Sequence, residues 1–147
     1  MTTGMNEELL TRALAFAREK HRGQTDKAGM PYIDHPIRVA EHCASPEAKV
    51  VALLHDVIED TDTTADSLRM EGFPDAIVEA VLAVTRRKGE SYEDYIRRAV
   101  LNPIGREVKK ADLEDNMDVR RLNELTDHDI ERLRKYHRAW RFLMHNA

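Results

Sequence analysis

Cysteine is almost missing from this sequence. Cys43 stands alone among 147 residues, so no internal disulfide can form, and the expected compartment is a reducing one, the cytoplasm. Also absent is any apolar run near the roughly 20 residues that a membrane-spanning helix needs. The amino terminus is too polar for a secretion signal. A positive charge excess is lacking too: 23 Lys and Arg face 27 Asp and Glu, for a formal net charge of −4. That balance gives no whole-molecule attraction to nucleic acid, while leaving room for a local basic patch that holds a phosphorylated small molecule. No internal repeat, low-complexity tract or long linker breaks the chain. No stretch alternates apolar and polar residues as a half-buried strand does.

What is present is the composition of a soluble globular protein, 41% hydrophobic and 34% charged. The length suits one domain over residues 1–147 with a real core. Leu9, Leu10, Ala13, Leu14 and Ala17 predict a first amphipathic helix ending near Gly23. Residues 22–34, with Gly23, Gly29 and Pro31, read as a loop. Pro36 belongs in the first turn of a second helix, where its missing N–H costs nothing. Ser45 is placed as N-cap of a helix carrying Val50, Val51, Leu53 and Leu54. Thr63 or Thr64 caps a short helix ending at Gly72, and Pro74 opens another through Val84. Ser91 with Asp94 is a capping pair ahead of Tyr95 and Ile96. Asn102-Pro103 starts the helix bearing Asp112, and Asp127 is the expected cap of a last helix through Ile130, Leu133, His137, Trp140 and Met144. The expected fold is all-α, a single-domain helical bundle. Helical surface stripes also serve interfaces, so a homo-oligomer is compatible with this pattern.

The run Leu53-Leu54-His55-Asp56-Val57-Ile58-Glu59-Asp60-Thr61 carries the chemistry. An apolar helix ends in an adjacent His-Asp pair, and imidazole beside carboxylate is a mixed ligand set for a divalent metal such as Mn, Fe or Zn. Residues three and four apart share a helix face, which puts Glu59 and Asp60 on the side of His55 and Asp56. An isolated His-Asp pair is commonly a satisfied core hydrogen bond. Here several acids crowd an apolar helix end, which is costly unless a cation or donors neutralise them. Metal next to free carboxylates is the minimum equipment for activating water.

Two further segments supply partners: Pro31-Tyr32-Ile33-Asp34-His35-Pro36 and Val108-Lys109-Lys110-Ala111-Asp112-Leu113-Glu114-Asp115-Asn116. The order His, His-Asp, distant Asp resembles the HD phosphohydrolase superfamily. With His21-Arg22-Gly23-Gln24, Lys27, Gly29 and the Lys109, Ala111, Asp112, Asn116 pattern, the sequence is similar to the hydrolase domain of RelA/SpoT proteins and to the small alarmone hydrolases, from about Leu9 to Asn116. The resemblance implies an HD-type fold in which His35, His55, Asp56 and Asp112 hold a divalent metal, Mn²⁺ in that family. It implies that Glu59 and Asp60 orient and deprotonate water, while Lys27, Lys109 and Asn116 contact a nucleotide. The implied reaction is metal-dependent removal of the 3′-pyrophosphate of (p)ppGpp, giving GDP or GTP and pyrophosphate.

The pattern departs from that family at Asp26, where those hydrolases usually carry a base-stacking arginine, and at Asp118 and Val119, commonly Arg and Thr. A carboxylate makes no cation–π contact and repels phosphate. Two alternatives therefore stand beside the alarmone reading: hydrolysis of another phosphorylated nucleotide, such as an adenine 3′-phosphorylated compound or NADPH, and a nucleotide-binding sensor without catalysis. His21 reads as a packing or capping residue, and His42, His128, His137 and His145 as structural. Tyr32 is either a pocket wall or a packing residue.

Overall fold

The computed structural model describes residues 3–146. The helices run α1 (Thr3–Lys20), α2 (Asp34–Glu41), α3 (Pro46–Leu54), α4 (Val57–Asp60), α5 (Ala65–Met70), α6 (Asp75–Ala83), α7 (Tyr92–Ala99), α8 (Pro103–Asn116) and α9 (Asp127–His145), with a 3₁₀ turn at Val119–Arg121. Among the described residues there is no strand, only an isolated bridge between Thr25 and Pro31. The fold is all-α, as expected. None of these helices is long and apolar enough to cross a membrane.

The most apolar helix takes the centre. Ala48 and every residue from Val50 to Leu54 are buried in α3, as a helix apolar all round requires. It packs against α1, α2, α6 and α8. Leu54 and Val51 are fully buried, each contributing about 1.5–3 kcal/mol of transfer free energy. Ser45 caps the helix as expected, its Oγ accepting from the Ala48 N–H at 3.2 Å. Glu107 on α8 accepts from the Ala44 and Ser45 N–H groups at 2.6 and 3.1 Å, so the start of α3 is tied to α8.

The apolar residues form two clusters. The larger joins α1, α2, α3 and α6 through residues such as Ala13, Val39, Leu54 and Val78. The smaller joins α7 and α9 through Tyr95, Ile96, Ala139 and Leu143. Helix α8 belongs to both, giving Val108 and Ala111 to the first and Leu113 to the second. Asp112 therefore stands at the seam. Gly105 brings α8 close to its neighbours: a Cβ there would lie 3.2 Å from the Ala83 Cβ and 3.2 Å from the Ala99 carbonyl oxygen.

Most sequence-derived boundaries hold, with Thr64, Ser91 and Asn102 all capping through their side chains. Two change. The last helix is capped by Thr126 rather than Asp127, because Thr126 and Asp129 close a reciprocal capping box and Asp127 falls inside the first turn. The helix through His55 is also not continuous. α3 ends at Leu54, and α4 restarts at Val57 after a turn at His55 and Asp56, whose φ values of −64° and −105° stay in the helical region.

Candidate functional site

That turn is where the site begins. His55 leaves the end of α3, His35 the first turn of α2, and Asp112 the seam on α8, so three helices bring their side chains to one point. His35 Nε2 lies 2.9 Å from Asp112 Oδ1 and 3.8 Å from Asp56 Oδ2. His55 Nε2 lies 3.1 Å from Asp56 Oδ2 and 3.4 Å from Asp112 Oδ1. His35, His55 and Asp56 satisfy the spacing of a shared ion. The structure thus brings together all four residues singled out as ligands.

The surroundings fix which ring nitrogen faces inward. His55 Nδ1 bonds the Ala52 carbonyl at 2.5 Å, and His35 Nδ1 meets Asp115 Oδ2 at 2.6 Å. Each outer bond leaves Nε2 turned to the centre, the arrangement common among metal-binding histidines. His55 Nε2 is buried without a hydrogen-bond partner. Burial works against protonation of both imidazoles, yet Asp112 beside His35, and Asp56 with Asp112 beside His55, hold both above their ordinary value. Burial would raise the two acids, but the His55 imidazole holds Asp56 down to about 2, and Lys109 with His55 holds Asp112 well below the carboxylate range. The acids and imidazoles thus hold one another in their charged forms. An orphaned imidazole nitrogen among three nitrogen and oxygen donors fits a divalent cation.

A cavity of about 510 Å³ opens from this cluster. Glu59 and Asp60 line it, as expected of residues on that side. Glu59 Oε1 accepts from the Arg86 N–H at 3.0 Å. Burial, Asp56 and Glu59 together push the Asp60 carboxyl up to about 6. Tyr32 proves to be wall and partner both, its hydroxyl donating to Asp56 Oδ2 at 2.5 Å. His21 packs, its ring 5.1 Å from that of Tyr32, and His42, His128, His137 and His145 do not line the cavity.

Lys27, Lys109 and Asn116 also line it, but each already has a protein partner. Lys109 Nζ lies 2.9 Å from Asp112 Oδ2 and 4.8 Å from the Tyr95 ring centre. Burial opposes its charge, but Asp112 raises its pKa well above the ordinary value. Asn116 Nδ2 donates to Asp112 Oδ1 at 3.1 Å. Lys27, half exposed, pairs with Asp129 at 3.3 Å. Asp118 caps the 3₁₀ turn and pairs with Arg120.

Sequence reasoning missed several residues of the cavity. Asp115, which orients His35, is held in turn by Arg38 at 2.8 Å; its spacing of three from Asp112 on one helix was the available signal. Across the cavity stand Arg86, Arg132, Lys135, Tyr92 and Tyr136. Lys135 Nζ sits 4.7 Å from the Tyr92 ring centre and 5.2 Å from that of Tyr136. Burial and the cations Arg86, Lys109 and Arg132 lower its pKa. Among the described residues no carboxylate lies within ion-pair distance of Lys135, so this wall has positive charge to offer an anion.

Comparison with known proteins follows the same lines. The family model described as HD domain matches residues 13–135. The guanosine-3′,5′-bis(diphosphate) 3′-pyrophosphohydrolase of Aquifex aeolicus is 37% identical over 120 residues, 76% of this chain and 17% of that protein. The bifunctional (p)ppGpp synthase/hydrolase SpoT of Escherichia coli is 38% identical over 91 residues, 58% of this chain and 12% of the relative. The Danio rerio guanosine-3′,5′-bis(diphosphate) 3′-pyrophosphohydrolase MESH1 is 46% identical over 68 residues, 41% of this chain and 38% of the relative. The matched part of this chain thus spans well under half the length of these relatives. A solved structure described as "A metazoan ortholog of SpoT hydrolyzes ppGpp and plays a role in starvation responses" superposes with a TM-score of 0.74 at 24% identity, covering 92% of this chain and 84% of that one. It has the same fold. By the match over residues 13–135 and the His35, His55-Asp56, Asp112 cluster, the chain belongs to the HD domain family.

Proposed function

We propose that this protein is a metal-dependent phosphohydrolase that removes the 3′-pyrophosphate of (p)ppGpp, releasing pyrophosphate and GDP or GTP. On this reading residues 1–147 work as one hydrolase unit in the cytoplasm, with Mn²⁺ as the metal. The observation that carries it is the convergence of His35, His55, Asp56 and Asp112 beside a cavity whose facing wall is cationic. The relatives named as (p)ppGpp pyrophosphohydrolases support the substrate.

His35, His55, Asp56 and Asp112 would hold the ion, which supplies Lewis acidity: it makes a water more acidic at neutral pH and polarises a phosphoryl oxygen. Glu59 and Asp60 orient the attacking water, and Asp60 accepts its proton as the water oxygen bonds to the phosphorus carried on the 3′ oxygen. The P–O3′ bond breaks, the 3′ oxygen is protonated by solvent, and pyrophosphate leaves. Asp115 and Ala52 hold the two imidazoles, so the donor atoms need no rearrangement during reaction. Arg132 and Lys135 neutralise substrate phosphates, and Lys27, Lys109 and Asn116 position the nucleotide.

Metal-stripped protein, assayed with ppGpp with and without Mn²⁺, tests this directly when pyrophosphate is resolved from orthophosphate. Mn²⁺-dependent release of pyrophosphate with GDP is expected. Folded, metal-loaded protein that leaves ppGpp intact would remove this substrate.

A further inference from the structure

We propose that Asp26 selects the base of the substrate, one oxygen of its carboxylate accepting from the N1–H and the 2-amino group of a guanine. The inference rests on the nucleotide reading above. Asp26 lines the cavity, and its Oδ1 accepts from the Ala28 and Met30 N–H groups, both at 2.9 Å. The Asp26 N–H returns a bond to the Met30 carbonyl at 2.8 Å. Gly29, at φ +83°, closes the turn in a conformation that favours glycine. The side chain is therefore held by its own loop.

Its second oxygen is unspent: among the described residues Oδ2 meets no hydrogen-bond donor, and no Lys, Arg or His lies within 4 Å of the carboxylate. Among the other acids of the cavity, Asp56, Asp112 and Asp115 are ion-paired with His35, and Asp118 is neutralised by Arg120 at 2.8 Å. Glu59 and Asp60, which among the described residues also lack a cation within 4 Å, are the proposed water-activating pair. A carboxylate without a cation repels phosphate, so the part of a phosphorylated nucleotide that faces Asp26 is the uncharged part. Guanine presents two adjacent N–H donors on one edge. Hypoxanthine keeps only N1–H, and adenine places a bare N1 acceptor beside its amino group. A fixed carboxylate therefore ranks the bases guanine, hypoxanthine, adenine.

The experiment compares kcat/KM of the Mn²⁺-loaded protein for the 3′-pyrophosphorylated nucleotides of guanosine, inosine and adenosine, in wild type, Asp26→Asn and Asp26→Ser. Asp26→Asn keeps an oxygen for Ala28 and Met30 while turning the free acceptor into a donor. Asp26→Ser keeps a short acceptor for the loop and removes the second oxygen. The expected result is the wild-type order above, with the guanosine-to-adenosine ratio falling about tenfold to a hundredfold in Asp26→Asn and in the same direction in Asp26→Ser. Folding of both variants is checked by thermal melting. An unchanged ratio in the folded variants, or an equal loss on all three nucleotides, overturns the role of Asp26 and leaves the hydrolase reading standing. Wild-type protein that cleaves none of the three removes the hydrolase reading, and this inference with it.

Discussion

The two walls of the cavity hold their charge by different means. On one, α2, α3 and α8 present His35, His55, Asp112 and Asp115, all buried and each bonded or ion-paired to another charged group. On the other, α9 presents Lys135, half exposed and braced by the Tyr92 and Tyr136 rings, and Arg132, paired with Asp129 at 3.1 Å. A buried, mutually paired charge cannot be removed without stranding its partner. A half-exposed cation resting on an aromatic face can be removed at little structural cost. On the proposed reading, the first wall decides whether the reaction occurs and the second how firmly the substrate is held.

The contrast breaks most visibly at Asp112. Asp112→Asn removes a proposed ligand and leaves Lys109 buried without its anion. Turnover should drop about a thousandfold or more, and stability by about 3–5 kcal/mol, read from kinetics and urea melts. Full activity with normal metal content would sink the ligand assignment. Asp115→Asn touches the same wall at one remove: His35 loses its orienting carboxylate, and divalent-metal affinity should weaken about 10–100-fold in a calorimetric titration. Unaltered affinity would show that Arg38 and Asp115 serve only packing.

On the facing wall, Lys135→Ala should raise KM about tenfold and leave kcat within a few fold. A collapse of kcat comparable to that of Asp112→Asn would erase the distinction between the walls. The smallest effect belongs to the contact that ties the 22–34 loop to α9. Lys27–Asp129 has a half-exposed lysine, so Lys27→Ala should cost no more than about 1 kcal/mol in chemical denaturation. A larger loss would make this pair part of the frame.

The same two walls differ in how far they can be read without coordinates. His35, His55-Asp56 and Asp112 stand in a recognisable order, and caps such as Ser45 and Asn102 announce themselves by residue type and by the proline that follows. Thr126 and Asp127 are both good capping residues, and only the reciprocal bond from Asp129 decides between them. The break at His55 and Asp56 leaves no sequence mark, because its backbone stays helical and needs neither glycine nor proline. Arg132, Lys135 and Tyr136 share a helix face, yet in sequence they match any solvated stripe. Their meaning comes from α7, whose Tyr92 lies opposite.

On the proposed reading, Gly105 gives the metal centre a dimension that no ligand residue encodes. It stands two turns before Asp112 on α8, at a point where an added methyl group would force Ala83 or the Ala99 carbonyl to give by a few tenths of an ångström. Metal–ligand distances tolerate only about 0.2 Å. The missing side chain thus acts as a spacer of zero thickness. On the proposed ligand assignment, a side chain at position 105 would bear on the placement of Asp112 as well as on packing.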